Sequence, residues 1–125
     1  MPDTFFQRWT NRFSCAGRGL WYVLSHEPSG RVHGVALVGV GALGVWLGIR
    51  PMEWAVMGLA AGGVVAAEAL NTAIERLADR VSGEREESIR LVKDVAAGGV
   101  LAATLGAVGA GLAILGPPLW TVLFG

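Results

Sequence analysis

Three carboxylates and one amide recur at three- and four-residue spacing in an apolar part of this chain, in the segment EALNTAIERLAD. They are Glu68, Asn71, Glu75 and Asp79. On a helix, which turns by 100° per residue, these positions fall within an arc of about 80° and form one polar stripe. Acidic side chains within a membrane segment are costly, so they usually face protein or water and mark functional sites. The stripe is therefore the first candidate for chemistry.

Carboxylates in this setting suit Mg²⁺, which keeps several waters and takes phosphate oxygens as further ligands. No Cys and His set with zinc-site spacing is present, and His26 and His33 are isolated in the sequence and are interpreted as ordinary interface residues. Lys93 adds a cation for phosphate, and Asp94 is either a second metal contact or a helix N-cap. Nucleotide-binding glycine loops and protein-kinase motifs are absent. The residues alone predict an acidic, Mg²⁺-competent site without specifying a reaction.

The composition places these residues in a membrane protein. Hydrophobic residues make up 53% of the 125 residues and charged residues 16%, whereas soluble domains contain roughly 25% charged residues. The apolar runs approach or reach the ~20 residues needed to cross a bilayer. We predict three transmembrane helices, over residues 32–49, 52–78 and 95–115.

The third predicted span ends where Gly116-Pro117-Pro118 should break the helix. A very hydrophobic soluble helical protein is the alternative to three spans. Two independent runs of spanning length and 19 glycines disfavour it, because glycine is more frequent in membrane helices than in soluble ones.

The distribution of charge predicts the orientation in the membrane. The formal net charge is zero, so bulk charge predicts no nucleic-acid partner. Nine of the ten Lys and Arg residues precede the first span or lie between the second and third. The positive-inside rule places both regions, and with them the N-terminus, in the cytoplasm. The single Cys15 provides no disulfide framework.

Residues 4–24 have the pattern of an amphipathic helix. Arg8 and Arg12 share one face and add candidate phosphate contacts. The opposite face follows three- and four-residue spacing and contains Phe6, Trp9, Phe13, Ala16, Leu20 and Val23. Such a helix is expected to lie in the membrane interface, the alternative being a positively charged flank that only sets topology.

Small residues at regular spacing are predicted to let the membrane helices approach closely. They are Gly44, Gly48, Gly58, Gly62, Gly98, Gly99, Gly106 and Gly109.

The acidic segment resembles, without a mismatch, the signature of the small bacterial integral-membrane lipid kinases. These are the prokaryotic diacylglycerol kinases and their Gram-positive relatives, the undecaprenol kinases. Three further segments are similar to the family in the same order along the chain: RFSCAGRGL (12–20), EPSGRVH (27–33) and KDVAAGGV (93–100). The resemblance covers nearly the whole chain.

This resemblance implies an all-α membrane protein with an N-terminal surface helix and three transmembrane helices. It implies a homotrimer in the bacterial cytoplasmic membrane, with active sites shared between neighbouring subunits. The implied reaction is Mg²⁺-assisted transfer of the ATP γ-phosphoryl group to a lipid hydroxyl.

The resemblance also implies roles for individual residues. Glu68 corresponds to the general base, and Glu27 and Glu75 correspond to the metal ligands that hold MgATP. Further nucleotide contacts are implied for Arg8, Glu84, Arg85, Glu86, Lys93 and Asp94. Lipid contacts are implied for Arg8, Glu68 and Asn71. Asp79 either supports the site or pairs with a neighbouring Arg.

Two alternatives stay open at the level of the sequence. KDVAAGGV and His33 favour undecaprenol as the lipid substrate, with diacylglycerol a close second. A non-enzymatic membrane carrier or scaffold is also compatible with the acidic stripe, because intramembrane acids serve as proton relays as well.

Overall fold

The computed structural model describes residues 1–82 and 86–125, and all regular structure within these ranges is helical. The four helices are α1 (Phe5–His26), α2 (Pro28–Leu47), α3 (Pro51–Val81) and α4 (Glu87–Phe124). The last three are long and apolar enough to cross a membrane. The predicted all-α architecture, one helix followed by three candidate spans, is confirmed.

Helix α1 begins at a capping box and ends at a single extended residue. The Gln7 amide donates to the Thr4 hydroxyl at 3.3 Å, and the Thr4 amide donates to the Gln7 side chain at 2.8 Å. Glu27 has φ −84° and ψ 130°, and α2 starts directly after it with Pro28. Proline fits the first turn of a helix without losing a hydrogen bond, so one extended residue suffices to join the two helices.

The junction of α1 and α2 depends on a glycine. A Cβ atom at Gly30 would lie 1.9 Å from the carbonyl oxygen of Val23, so only glycine allows the two backbones to approach this closely. Both residues are buried. The contact fixes the C-terminal end of α1 against the start of α2.

A tight hairpin joins α2 to α3. Gly48 ends α2 with φ +64°, a left-handed conformation that favours glycine. Gly44 is buried against Trp54, and a Cβ atom there would lie 2.9 Å from the indole ring. The predicted packing role is thus confirmed for Gly44, whereas Gly48 caps the helix.

Helix α4 packs along α3 over a longer length than any other pair of helices. The small core near the α2–α3 hairpin consists of Met57 from α3 with Ile114 and Leu115 from α4. Partly buried side chains around the hairpin pack against it, namely Val40, Leu43, Leu47 and Ile49. The three candidate spans therefore meet around this end of the molecule.

Both predicted limits of the third span differ from the ends of α4. The helix begins at Glu87, so Asp94 lies inside it and the N-cap interpretation of Asp94 is wrong. The break expected at Gly116-Pro117-Pro118 is also wrong, because α4 continues to Phe124. Gly116 lacks the Cβ atom that would meet the Pro117 ring, but Pro117 has one and precedes Pro118, so this accounts for the first of the two proline steps alone. The Thr121 hydroxyl donates to the Pro117 carbonyl at 3.1 Å within this last segment.

The remaining regularly spaced glycines have open space around them. At six positions no atom of another described residue lies within 4 Å of a Cβ atom built there, namely at Gly58, Gly62, Gly98, Gly99, Gly106 and Gly109. Their predicted role in close helix packing is therefore not fulfilled within one chain.

Candidate active site

Glu68 is a buried carboxylate between α3 and α2. Its side chain is 2% exposed. The Ser29 hydroxyl donates to Oε2 at 3.0 Å, and His33 Nδ1 lies 2.8 Å from Oε1. Ser29 and His33 are four residues apart and therefore share one face of α2. Both carboxylate oxygens of Glu68 thus meet a polar side chain of the neighbouring helix.

The two contacts of Glu68 differ in geometry. The Ser29 contact is a hydrogen bond, whereas His33 Nδ1 is buried and makes no directed hydrogen bond within the described residues, although it is close to Oε1. The imidazole therefore touches the carboxylate without donating along its N–H direction.

Asn71 and Glu75 continue the stripe towards the C-terminal end of α3. The Asn71 amide donates to Glu75 Oε1 at 3.2 Å. Asn71 Oδ1 is buried without a hydrogen-bond partner among the described residues. Seven residues separate Glu68 from Glu75, which corresponds to roughly 10 Å along the helix axis. The stripe therefore has one deeply buried carboxylate and a second, half-buried one two turns away.

Glu27 is brought to the same end of α3 by Arg76. The Arg76 guanidinium donates to Glu27 Oε1 at 2.7 Å and also to the Tyr22 hydroxyl. It lies over the Tyr22 ring, 5.5 Å from the ring centroid. Because Arg76 follows Glu75 in the chain, these contacts place the α1–α2 junction beside the end of the stripe.

Asp79 forms an ion pair with Lys93 across α3 and α4. The Asp79 side chain is 53% exposed and that of Lys93 is 20% exposed. The ion-pair partner of Asp79 is therefore a lysine of α4, and the carboxylate also interacts electrostatically with Arg76. This pair fixes the start of α4 against the C-terminal end of α3.

Of the other predicted nucleotide contacts, the described ones lie on the exposed surface at or near the start of α4. Asp94 and Glu86 are exposed, and Glu86 is the N-cap residue of α4. Glu84 and Arg85 lie outside the described residues.

Arg8 lies far from the stripe within one chain. Its Nε atom donates to the Asp3 carbonyl at 3.3 Å, and its side chain is exposed. Nineteen residues of a continuous helix separate Arg8 from Glu27, which corresponds to about 28 Å at a rise of 1.5 Å per residue. The structure does not bring Arg8 together with Glu27, Glu68 or Glu75 of the same chain.

The side chains at the end of the stripe fit a Mg²⁺ ion that arrives with phosphate. Within the described residues no group of three or more His, Cys, Asp or Glu side chains is arranged to hold a metal ion alone. Glu27 and Glu75 each have one oxygen in a hydrogen bond, and the Asn71 carbonyl oxygen has none. Mg²⁺ is typically held by one or two carboxylates plus substrate phosphates, which matches this set of oxygen donors.

An apolar cavity of about 380 Å³ runs between α2, α3 and α4. His33 is the first α2 residue in its lining, so the imidazole lies between the cavity and Glu68. The buried Thr104 hydroxyl of α4 also lines it and has no partner among the described residues. The cavity therefore extends from His33, which touches the buried carboxylate, towards the α2–α3 hairpin.

Four contact residues of the site were missed from the sequence: Tyr22, Ser29, His33 and Arg76. The interpretation of His33 as an isolated interface residue is wrong, because its ring touches Glu68. The four-residue spacing of Ser29 and His33 was an available signal that both face the same neighbour. Nothing in the sequence alone pairs Arg76 with Glu27, because 49 residues separate them.

Comparison with known proteins identifies related sequences over most of the chain. Residues 14–115 match the family model described as prokaryotic diacylglycerol kinase. An undecaprenol kinase from Bacillus subtilis (strain 168) is 33% identical over 93 residues, which cover 74% of this chain and 76% of the relative. A diacylglycerol kinase from Synechocystis sp. is 34% identical over 115 residues, which cover 89% of this chain. The matched region makes up 64% of the Synechocystis protein, slightly less than two thirds of its length.

Proposed function

The chain belongs to the prokaryotic diacylglycerol kinase family and is a lipid kinase, and we propose that it phosphorylates the hydroxyl of a membrane lipid alcohol with ATP. The single observation that supports this reaction best is the buried Glu68 carboxylate, held between α2 and α3 two turns from Glu75. The reaction takes place at the cytoplasmic side of the bacterial inner membrane, where the N-terminus also lies.

In this proposal Glu68 is the general base. Its burial excludes water, and a general base must lie within hydrogen-bond reach of the proton that it accepts. The lipid O–H bond breaks as the proton moves to Glu68. The lipid oxygen bonds to the γ-phosphorus, and the bond from that phosphorus to the β,γ-bridging oxygen breaks to release ADP.

Glu27 and Glu75 would hold Mg²⁺ together with the phosphate oxygens, and Asn71 would orient Glu75 through their hydrogen bond. When bound, Mg²⁺ neutralises the charge that develops on the transferring phosphoryl group. Lys93 would meet the phosphates, and its pairing with Asp79 keeps its ammonium group at the end of the stripe. Asp94, Glu84, Arg85 and Glu86 complete the proposed nucleotide contacts.

A homotrimer is part of the proposal. The six glycines with open space around them lie on α3 and α4, where another subunit can approach closely. Arg8, which is about 28 Å from Glu27 along a straight helix, would then contact ATP and lipid in the site of a neighbouring subunit.

Undecaprenol is the favoured lipid, with diacylglycerol second. The family segments KDVAAGGV and His33 support this order, and the Bacillus subtilis relative is itself an undecaprenol kinase. The Synechocystis relative, at 34% identity, is a diacylglycerol kinase, so diacylglycerol is the second lipid to be tested.

The deciding experiment measures phosphoryl transfer from radiolabelled MgATP to each lipid alcohol, presented separately in mixed micelles. We expect the purified protein to phosphorylate undecaprenol with the higher kcat/KM, and Glu68→Gln to lower kcat while MgATP binding is retained. A higher kcat/KM for diacylglycerol would reverse the order of substrates. Failure to phosphorylate any lipid alcohol would refute the reaction and support a carrier or scaffold.

A further inference from the structure

We propose that Ser29 and His33 are positioning residues that orient Glu68, with Oε1 as the oxygen that accepts the lipid proton. This inference rests on the proposed role of Glu68 as general base. Two side chains of α2 then determine the orientation of that base.

The need for positioning follows from the burial of Glu68. A glutamate has three side-chain torsions, and water cannot select among them when only 2% of the side chain is exposed. Among the described residues, the Glu68 side chain makes polar contacts with Ser29 and His33 alone. Both come from one face of α2, so this helix determines the direction in which the carboxylate points.

The choice of oxygen follows from the unequal contacts. Oε2 accepts a directed hydrogen bond from Ser29, which engages one of its two lone pairs and fixes the rotation of the carboxylate. Oε1 lies 2.8 Å from His33 Nδ1, but the ring makes no directed hydrogen bond within the described residues. Oε1 therefore keeps both of its lone pairs for an incoming proton, whereas Oε2 keeps one.

The cavity indicates the side from which the lipid hydroxyl arrives. His33 touches Oε1 and also lines the apolar space between α2, α3 and α4. A hydroxyl that approaches along the His33 ring therefore reaches Oε1 before Oε2. His33 thus lies between the apolar cavity and the carboxylate.

The test compares His33→Ala, His33→Asn and Ser29→Ala in the lipid phosphorylation assay, with Val32→Ala as matched control. Val32 is the neighbour of His33 on α2 and is largely exposed. We expect His33→Ala and Ser29→Ala to lower kcat by about 10- to 100-fold, because a small misplacement of a reacting group has effects of this size. The KM for MgATP should stay within about twofold, since neither side chain touches the proposed nucleotide contacts.

Rescue and coupling separate positioning from a general role in folding. The side-chain amide of Asn can place a nitrogen near the position of His Nδ1, so His33→Asn should recover most of the kcat lost in His33→Ala. In a Glu68→Gln background, His33→Ala should have no further effect on the residual rate, because the group that it orients is already absent. Thermal unfolding of each variant in detergent monitors the fold, and if His33→Ala does not fold, Ser29→Ala and His33→Asn still decide the question.

Four results would overturn the assignment. They are an unchanged kcat in Ser29→Ala and His33→Ala, a loss confined to the KM for MgATP, no recovery in His33→Asn, and an additive effect in the Glu68→Gln background. Each requires a wild-type protein that phosphorylates lipid. A wild-type protein without that activity would instead refute the proposed function itself.

Discussion

The four polar side chains of the α3 stripe have different surroundings although they share one face. Glu68 is buried against α2, Asn71 and Glu75 bond to each other, and Asp79 pairs with Lys93 at the exposed end. This gradient from a buried carboxylate to an exposed ion pair suits the proposed reaction between a lipid hydroxyl and a water-soluble nucleotide. The proton acceptor must lie at the depth of the lipid, and the charged groups must lie where MgATP arrives.

Glu75→Gln tests the metal end of the stripe. The change preserves size but removes the negative charge that Mg²⁺ needs, so we expect lipid phosphorylation to fall by at least about 100-fold at low millimolar Mg²⁺. Part of the loss should be recovered at higher Mg²⁺ concentration, measured as a Mg²⁺ titration of initial rates.

Glu53→Gln is the matched control for Glu75→Gln. Glu53 is in the first turn of the same helix, at its opposite end, where it pairs with Arg50. Activity in this variant should stay close to wild type. A Glu75→Gln protein with the Mg²⁺ dependence of wild type would remove Glu75 from the metal site.

Asp79→Asn tests whether the pair with Lys93 orients a nucleotide contact. The pair is partly exposed, so its loss should change stability by less than about 1 kcal/mol. If the pair holds the Lys93 ammonium group near the phosphates, the KM for MgATP should rise a few-fold while kcat changes little. Steady-state kinetics measure this, with Glu87→Gln, an exposed carboxylate in the first turn of α4, as control. A lowered kcat at unchanged KM would contradict it.

The sequence predicted the stripe but not the contacts made by its members. Periodicity along one helix places Glu68, Asn71 and Glu75 on one face, because that relation depends only on helical geometry. It does not say which residue of another helix lies opposite. Ser29 and His33 are 39 and 35 residues before Glu68, and their contacts follow from how α2 lies against α3.

At the scale of the helices, the site depends on how α1 is joined to α2. A single extended residue, Glu27, separates the two helices, and Gly30 lets α2 touch the backbone of Val23. The same junction directs Tyr22 and Glu27 towards Arg76 of α3. The position of a proposed metal ligand is therefore set by backbone contact between two helices.

Gly30→Ala tests this junction. The added methyl group would lie 1.9 Å from the Val23 carbonyl oxygen, so α1 and α2 must separate. Overpacking of this kind typically costs about 1–3 kcal/mol. We expect a lower Tm in detergent and a raised Mg²⁺ requirement, because Glu27 would move relative to Glu75.

Gly34→Ala provides the control for Gly30→Ala on the same face of α2, one turn further along. A methyl group there would meet Leu24 at 3.8 Å, an ordinary van der Waals distance. This variant should keep the Tm and the Mg²⁺ dependence of wild type. Equal effects of the two substitutions would show that replacing any glycine of α2 by alanine changes the Tm and the Mg²⁺ dependence, and that the close contact at Val23 is not the cause.

The number and order of the helices followed from hydropathy, whereas their ends did not. Long apolar runs must be helical in a membrane, since each backbone polar group has to be satisfied internally. The ends depend on local exceptions to general rules. Helix α4 continues through Pro117 and Pro118, and it begins at Glu87, seven residues before Asp94.

At the scale of the whole molecule, one chain leaves much apolar surface uncovered. Large hydrophobic side chains on all three long helices are exposed, among them Val38, Leu59 and Leu105. Lipid can cover these faces, but glycines with open space around them on α3 and α4 also permit close contact with other subunits. Only an assembly of several chains would bring Arg8, at the far end of α1, near an acidic stripe.

Mixed oligomers test whether a site is shared between subunits. Arg8→Ala and Glu68→Gln each remove one component, and each protein alone should have low activity. If Arg8 of one subunit serves the Glu68 of its neighbour, an oligomer containing both variants has some sites with both residues intact. Co-expressed and co-purified variants should then be several-fold more active than the sum of the two separate proteins.

The control combines Glu68→Gln with Glu75→Gln. Both residues lie on α3 of one chain. If a site uses Glu68 and Glu75 of the same chain, no site in this mixed oligomer contains both residues intact. We therefore expect recovery of activity in the first mixture and none in the second. Recovery in neither mixture would contradict a site in which Arg8 of one subunit serves Glu68 of its neighbour. Recovery in both would mean that Glu68 and Glu75 of different subunits combine in one site. The proposal that Glu68 and Glu75 of the same α3 act together would then be wrong.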